Sequence, residues 1–290
     1  MKICLYCSFE FENDNWVCPS CNEKPLNQEG RLIFSPSLSE RNNGFEVEFF
    51  ERLFKVEERN FWFCGRNKLL IWAIKKYFPG ANSLFEIGCG TGFVLSGIEK
   101  QFPGLDLYGS EIFNSGLDFA QRRLSRVRLM QMDATKIPFK EEFDVIGAFD
   151  VLEHIESDQL VLKEMYKSVR KGGGIILTVP HHDFLWSKID EIGHHVRRYS
   201  ANSLKNKVKE AGFNIIKVTS FVSLLLPLFM LSRLRWKNTT GMCDNISELR
   251  INKSVNCFLE RILDIERLII KLGITFPFGS SLLLIGQKVN

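Results

Sequence analysis

The sequence has no strong charge excess, no internal repeat, no low-complexity tract and no apolar run long enough to span a bilayer. Charged residues make up 25% of its 290 positions, and the net charge of +4 is too mild to indicate a nucleic-acid partner by itself. The densest apolar stretch, Phe221 to Leu234, has 14 residues interrupted by Pro227, too short and too broken for a transmembrane helix. No apolar segment follows a basic start at the N-terminus, so no signal peptide is expected, and a cytoplasmic location follows as the expectation. What remains is ordinary globular composition, 45% hydrophobic, with length for one substantial domain and a small appendage.

The cysteines are unevenly spread. Four of the eight fall within the first 21 residues: Cys4 and Cys7 are separated by two residues, as are Cys18 and Cys21, with ten residues between the pairs. Two such knuckles can close four thiolates around one tetrahedral zinc, and a segment too short for its own core then folds on the binding energy. Disulfides and free thiols are the competing readings, which a reducing compartment disfavours. The pattern resembles a zinc ribbon over residues 1–25, with a structural role implied.

Leu84 to Leu95, LFEIGCGTGFVL, organises the rest. A short apolar run carrying Glu86 reads as a buried strand, three glycines as a turn, and Phe93-Val94-Leu95 as the start of a helix. The spacing is Gly88-x-Gly90-x-Gly92, whereas the dinucleotide fingerprint has two residues between its second and third glycines. This spacing, with Glu86 two positions before the first glycine, resembles the first motif of class I S-adenosylmethionine-dependent methyltransferases. The resemblance implies that Glu86 lies near the cofactor's amino group and that Gly88, Cys89, Gly90 and Gly92 pass beneath its sugar and methionine portion.

Downstream the pattern alternates strand and helix, as a doubly wound parallel sheet requires. Leu105 to Ile112 reads as the second strand and ends in Glu111, 19 residues beyond Gly92, where a carboxylate can accept hydrogen bonds from ribose hydroxyls. A third strand, Val127 to Met132, leads to Asp133 and Ala134; the resemblance gives the first an adenine-amino contact and places backbone beside the ring, and Ile112 belongs with them. A fourth, Phe143 to Asp150, leads into Val151-Leu152-Glu153-His154. Its DVLEHI stretch is similar to the fourth motif of ubiquinone-pathway and related small-molecule methyltransferases, with Asp150 and Val151 at the cofactor. Helix Asp158 to Val169, strand Ile175 to Val179, strand Phe213 to Val218 and a final antiparallel strand Ser281 to Val289 complete an expected seven-stranded, mostly parallel Rossmann-like sheet.

Residues 26–44, with Pro36, Gly30 and Gly44, read as a linker, and 45–290 as the methyltransferase domain. Phe45, Phe49, Phe50, Leu53, Phe54 and Val56 recur at helical spacing, and a second helix is expected from Arg66 to Phe78. Between them, Asn60 to Arg66 reads either as an aromatic anchor or, from the resemblance, as a cover over the cofactor with Arg66 meeting its carboxylate.

Four of the five histidines, His181, His182, His194 and His195, fall within 15 residues after the fifth strand, where loops line the ligand crevice; His154 is the fifth. An imidazole suits proton removal from a hydroxyl acceptor near neutral pH. A divalent-metal site and a loop of structural histidines stand beside that reading. Arg197 and Arg198 read either as partners for a phosphate or carboxylate on the substrate or as a solvated pair leading into the next helix.

About 60 residues separate the last two strands, so an insertion is expected at about 220–275. Residues 221–237 join an apolar segment to Arg233, Arg235, Trp236 and Lys237, which suits peripheral contact with the inner membrane face or a lipid-linked substrate; a buried cap or dimer surface is the competing reading. Ser247 to Leu272 reads as a long amphipathic helix. The whole points to methyl transfer to an O, N or C nucleophile of a small-molecule, glycan-linked or lipid-linked acceptor. An RNA methyltransferase docking through the ribbon, and a catalytically silent binding scaffold, are the alternatives; a nicotinamide dehydrogenase fits worse because the glycine spacing is wrong.

Overall fold

The computed structural model describes residues 1–39, 47–237 and 251–289. Gly44 and Phe45, and residues 247–250 of the expected amphipathic helix, lie outside the described residues, as do the side chains of Arg233, Arg235, Trp236 and Lys237. A small hairpin of β1 (Lys2–Ile3) and β2 (Glu10–Phe11) carries the cysteine loops. Next come β3 (Leu26–Gln28), β4 (Arg31–Ile33), α1 (Pro36–Ser39), α2 (Val47–Val56) and α3 (Phe61–Tyr77). The alternating unit follows: β5 (Ser83–Ile87), α4 (Phe93–Gln101), β6 (Asp106–Glu111), α5 (Asn114–Arg123), β7 (Arg128–Gln131), β8 (Phe143–Phe149), α6 (Asp158–Ser168) and β9 (Val169–Pro180). The chain closes with α7 (Lys188–Ile192), α8 (Ala201–Glu210), β10 (Asn214–Phe221), α9 (Leu226–Lys237), α10 (Lys253–Lys271) and β11 (Ser281–Gln287).

The main sheet runs β10-β11-β9-β8-β5-β6-β7-β4-β3, with β11 antiparallel to both neighbours and the central strands parallel. Side-chain alternation splits the core between its two faces. On β11, Leu283 and Ile285 join the apolar cluster under α3, α4 and α10, while Leu282 and Leu284 join that under α6 and α8. From β5 the chain pairs with β6 on one side and β8 on the other, so the sheet reverses direction of build at the β5/β8 boundary. This is the switch point beyond whose strand ends a crevice opens.

Three expectations need correction. The sheet has nine strands rather than seven, because the stretch expected as a linker contains the β3–β4 hairpin, whose β4 pairs in parallel with β7. These strands are two or three residues of mixed polarity on an edge, too short for a period-2 signal. The aromatic segment between the first helices is itself helical: Asn60 caps α3, its side chain accepting from Trp62 N at 2.9 Å, so Arg66 sits in the helix's second turn. Pro227 starts α9 instead of breaking it, since the first turn of a helix has no need of that N–H.

The amphipathic helix α10 lies against α3. Lys68 reaches Glu260 at 2.8 Å and Asp264 at 3.1 Å, and buried Glu266 accepts from Ser223 N and Leu224 N at the entry to α9. The opposite face of α10 leaves Val255, Phe258, Ile265 and Leu268 exposed. Among the described residues no helix is long and apolar enough to cross a membrane.

Candidate active site

A cavity of about 680 Å³ opens where β5, β6, β7 and β8 end, roofed by Phe49, Phe50 and Leu53 of α2 and by Trp62 and Phe63 of α3. The glycine turn forms its floor. Gly88 has φ +67°, and a Cβ there would lie 2.5 Å from Val151 Cγ2, so the two loops touch only because Gly88 has no side chain. Gly92 does not line the cavity. At φ +74° it starts α4 and packs against Ala120 and Leu124 of the α5 segment, a structural use of a glycine expected at the cofactor.

Glu86, near the end of β5, is 2% exposed, and its Oε2 has no hydrogen-bond partner. Burial pushes its carboxyl well above the ordinary range, against the pull of the Arg66 guanidinium. Arg66 enters from α3, bonds Asp150 Oδ2, and lies 4.6 Å from the centre of the Trp62 ring; its Nε is also buried without a partner. Asp150 holds φ +58° at the end of β8 and accepts from Thr178 Oγ1 at 3.0 Å. The cavity is therefore lined by a buried carboxyl with one unpartnered oxygen and by a guanidinium paired with Asp150, a set that fits the amino and carboxylate ends of an amino-acid moiety. Such buried orphans are costly unless a ligand completes them.

Glu111 is held from three sides: Gly90 N donates to Oε2 at 3.0 Å, and Ile112 N and Phe113 N to Oε1 at 2.8 and 3.3 Å. Burial raises its carboxyl, and these N–H donors oppose the shift. Beyond β7, Asp133 Oδ1 accepts from Thr135 N and Oγ1, both at 2.8 Å, while Ile112, Ala134, Cys89 and Val151 complete the wall.

The other half of the cavity is built by two segments. After β8 a single helical turn places His154 on the wall, with Glu153 buried beside it; the 187–195 stretch adds Ile189, Ile192, His194 and His195. Ser187 and Asp190 form a capping box for α7, which turns the chain back so that Val196 N donates to Glu153 O at 2.8 Å. His195 and His154 then meet edge to face, ring centres 4.8 Å apart. His195 Nδ1 bonds Asp190 Oδ1 at 2.9 Å, and fully buried Asp190 is neutralised by Arg198 at 2.8 Å. Burial, then His195, depresses His154 to about 3, so it is a weak base near neutral pH. Glu153 Oε2 is buried and unpartnered, its carboxyl raised well above the usual range by burial and then by Asp150. Ligand atoms of Glu153, His154 and His195 all lie within 4.8 Å of one another.

His181 and His182 are not part of this group. His181 bonds Ser220 Oγ at 2.9 Å under the sheet edge, where burial pushes it down to about 4, and His182 stacks on it at 3.5 Å and on Phe184 and Phe278. The arginines are also engaged. Arg197 donates to Ile155 O and Glu156 O and pairs with Asp158 at 3.2 Å, and Arg198 donates to Asp190 and His181 O, so both have partners within the chain rather than only solvent.

A buried network that no sequence motif announces ties the roof to the floor: Glu57 Oε2 accepts from Thr91 Oγ1 at 2.5 Å and Arg123 Nη1 at 2.8 Å. Its members are 34 and 66 positions from Glu57, and no motif links them. In the N-terminal hairpin the four cysteines gather as the spacing requires, with Cys4–Cys21 and Cys7–Cys18 sulfur separations of 3.6 Å, too long for disulfides and suited to thiolates around one ion.

Comparison with known proteins adds independent evidence. Residues 56–218 match the methyltransferase domain family. The bifunctional biotin-biosynthesis protein BioHC of Teredinibacter turnerae is 24% identical over 161 residues, covering 49% of this chain and 28% of that protein. The mitochondrial ubiquinone biosynthesis O-methyltransferase of Candida albicans is 27% identical over 124 residues, 40% of this chain and 38% of the enzyme. The chain thus spans well under half the length of each. Haemonchus contortus phosphoethanolamine N-methyltransferase 2, solved with S-adenosyl-L-methionine, superposes with a TM-score of 0.57 over 86% of this chain and 59% of that one; at 17% identity this shows the shared fold. With the match spanning more than half of its residues, this chain belongs to the methyltransferase domain family.

Proposed function

We propose that the protein is an S-adenosylmethionine-dependent methyltransferase whose acceptor presents a hydroxyl on a small or lipid-linked apolar body. The observation that carries the cofactor reading is the buried carboxyl of Glu86, its Oε2 without a hydrogen-bond partner, at a cavity that Arg66 also lines. When bound, the cofactor supplies an electrophilic sulfonium methyl. Glu86 and Arg66 would hold its amino-acid end, Glu111 the ribose hydroxyls and Asp133 the adenine amino group. Orientation of the acceptor oxygen against the methyl carries most of the rate.

The His195–Asp190 dyad supports a hydroxyl acceptor. Asp190 fixes the ring by Nδ1, leaving Nε2 as the candidate proton acceptor, while His154 is too weakly basic for that role. Ile155, Ile189 and Ile192 make this half of the cavity apolar, and the exposed apolar face of α10 suits a membrane-borne acceptor at peripheral contact. A second reading is favoured by the unpartnered Glu153 Oε2: a divalent cation held by Glu153, His154 and His195 would polarise the same oxygen. Residues 1–25 would form a zinc ribbon held by Cys4, Cys7, Cys18 and Cys21.

Titration of the zinc-loaded protein with S-adenosylhomocysteine, followed by transfer of labelled methyl to matched phenol, alcohol and amine acceptors with and without an alkyl chain, tests this reading. Micromolar binding and methylation of hydroxyls are expected. Failure of the folded protein to bind would refute the cofactor reading, and transfer only to amines would refute the acceptor reading. Loss of transfer with a chelator that leaves the cysteine site loaded, restored by Mn²⁺, would select the cation reading.

A further inference from the structure

We propose that the four-cysteine hairpin is a latch on the adenine side of the cofactor cavity, so that metal loading of Cys4, Cys7, Cys18 and Cys21 sets cofactor affinity. The inference rests on the cofactor reading above and concerns the same cavity.

The segment 132–142 joins β7 to β8, carries Asp133, and belongs to neither strand. Its backbone is tied instead to the N-terminal residues. Ile3 N donates to Pro138 O at 3.0 Å, Lys140 N to Met1 O at 2.9 Å, and Lys2 bridges Phe139 in antiparallel fashion. Side chains repeat the tie: Lys140 pairs with Glu10 at 2.6 Å, the N-terminal amine with Glu142, and Trp16 packs edge to face on Phe139 and Phe34.

A second attachment runs through β4. Fully buried Gln131 accepts from Ser35 N at 2.9 Å and donates to Ser35 O and Ile112 O, both at 2.9 Å. One side chain thus joins the N-terminal segment to the end of β6, which carries Glu111, and to the end of β7, which leads into Asp133. A cavity of about 360 Å³ separates the hairpin from the core, and Leu38 and Asp133 line both it and the active cavity. Asp133 and Leu38 thus stand between the active cavity and one lined by Ile3, Cys4, Phe11 and Trp16 of the hairpin.

The hairpin has a tiny core, Cys4, Phe11 and Cys18 with Trp16 and Cys21 against it. Two of its three buried residues are cysteines, so its shape depends on the thiolates being held together. Without that closure the ties to 138–140 have no fixed partner, and the wall samples open states. A cavity competent for a tenth of the time binds about tenfold more weakly.

The test uses the full chain. Metal is removed with a chromophoric chelator that reports its release, and adenosine and S-adenosylhomocysteine are titrated by calorimetry before and after. Amide exchange is followed over residues 133–140. Loss of about tenfold for both ligands, with faster exchange and recovery on zinc readdition, is expected. Trp16→Ala, which keeps all four cysteines, should weaken adenosine and S-adenosylhomocysteine by the same factor as each other. Unchanged exchange at 133–140 in the metal-free protein overturns the latch, as does unchanged affinity. Absence of binding in the zinc-loaded protein refutes the cofactor reading instead, and the exchange measurement still decides the latch.

Discussion

Replacing Glu86 with Gln should move binding and stability in opposite directions. The side chain keeps its shape, so the change isolates the charge. Its Oε2 is buried without a hydrogen-bond partner, and the residue lines the cavity proposed for the cofactor. A hydrogen bond to a charged group contributes about 1.5–3 kcal/mol, so S-adenosylhomocysteine should bind about 10- to 150-fold more weakly to the variant. The unliganded protein should gain stability. The carboxyl of Glu86 is raised above its unfolded value by burial, so its contribution is intact below the unfolded value and is lost as pH rises through the folded one. Each unit of elevation is worth about 1.4 kcal/mol. Urea denaturation should therefore show wild type and variant alike near pH 4, and the variant more stable at pH 8. Ligand ammonium stabilises the ionised carboxylate, so wild-type binding should release a proton, seen as a calorimetric enthalpy that depends on buffer ionisation. Equal affinity in the two proteins, or a variant less stable at pH 8, would refute the reasoning.

Other substitutions probe the rest of the site. Gly88→Ala combines a left-handed backbone, about 1–2 kcal/mol, with a Cβ 2.5 Å from Val151 Cγ2, about 1–3 kcal/mol; adding Val151→Ala should recover only the second part in urea denaturation. Arg123→Met strands the buried Glu57 carboxylate and should cost about 3–5 kcal/mol, with cofactor affinity falling as the roof loosens. Asp190→Asn removes the carboxylate that fixes the His195 ring through Nδ1 and pairs with Arg198, and should slow methyl transfer to hydroxyl acceptors without changing affinity for S-adenosylhomocysteine. Tyr199→Phe removes the 2.7 Å bond from its hydroxyl to buried Asp158 and should cost about 1 kcal/mol in thermal or urea melts without changing cofactor affinity.

The parallel strands could be placed from the sequence, their starts within one residue of expectation except for β9, which begins at Val169 because Val169 pairs with Phe143 ahead of an irregularity that resumes at Gly174 and Val145. An apolar run with β-branched residues, bounded by turn signals, is a local property, and so is a carboxylate at its end. Glu86, Glu111, Asp133 and Asp150 reach one cavity because parallel strands of a doubly wound sheet all end on the same side. Local chemistry also sufficed to bring the four cysteines together.

The tertiary structure decided which neighbours in sequence part company. His181 and His195 belong to one histidine-rich stretch, yet one packs beneath the sheet edge against Ser220 and the other faces the cavity, because the α7 capping box reverses the chain between them. Gly92 turns toward α5 while Gly88 and Gly90 line the cavity, a choice set by where α5 packs. The β3–β4 hairpin and the Glu57–Thr91–Arg123 network exist only through partners distant along the chain. Local sequence determines which elements can form and what chemistry their ends carry; long-range packing determines which of those ends share a cavity, because no short-range preference encodes a partner far along the chain.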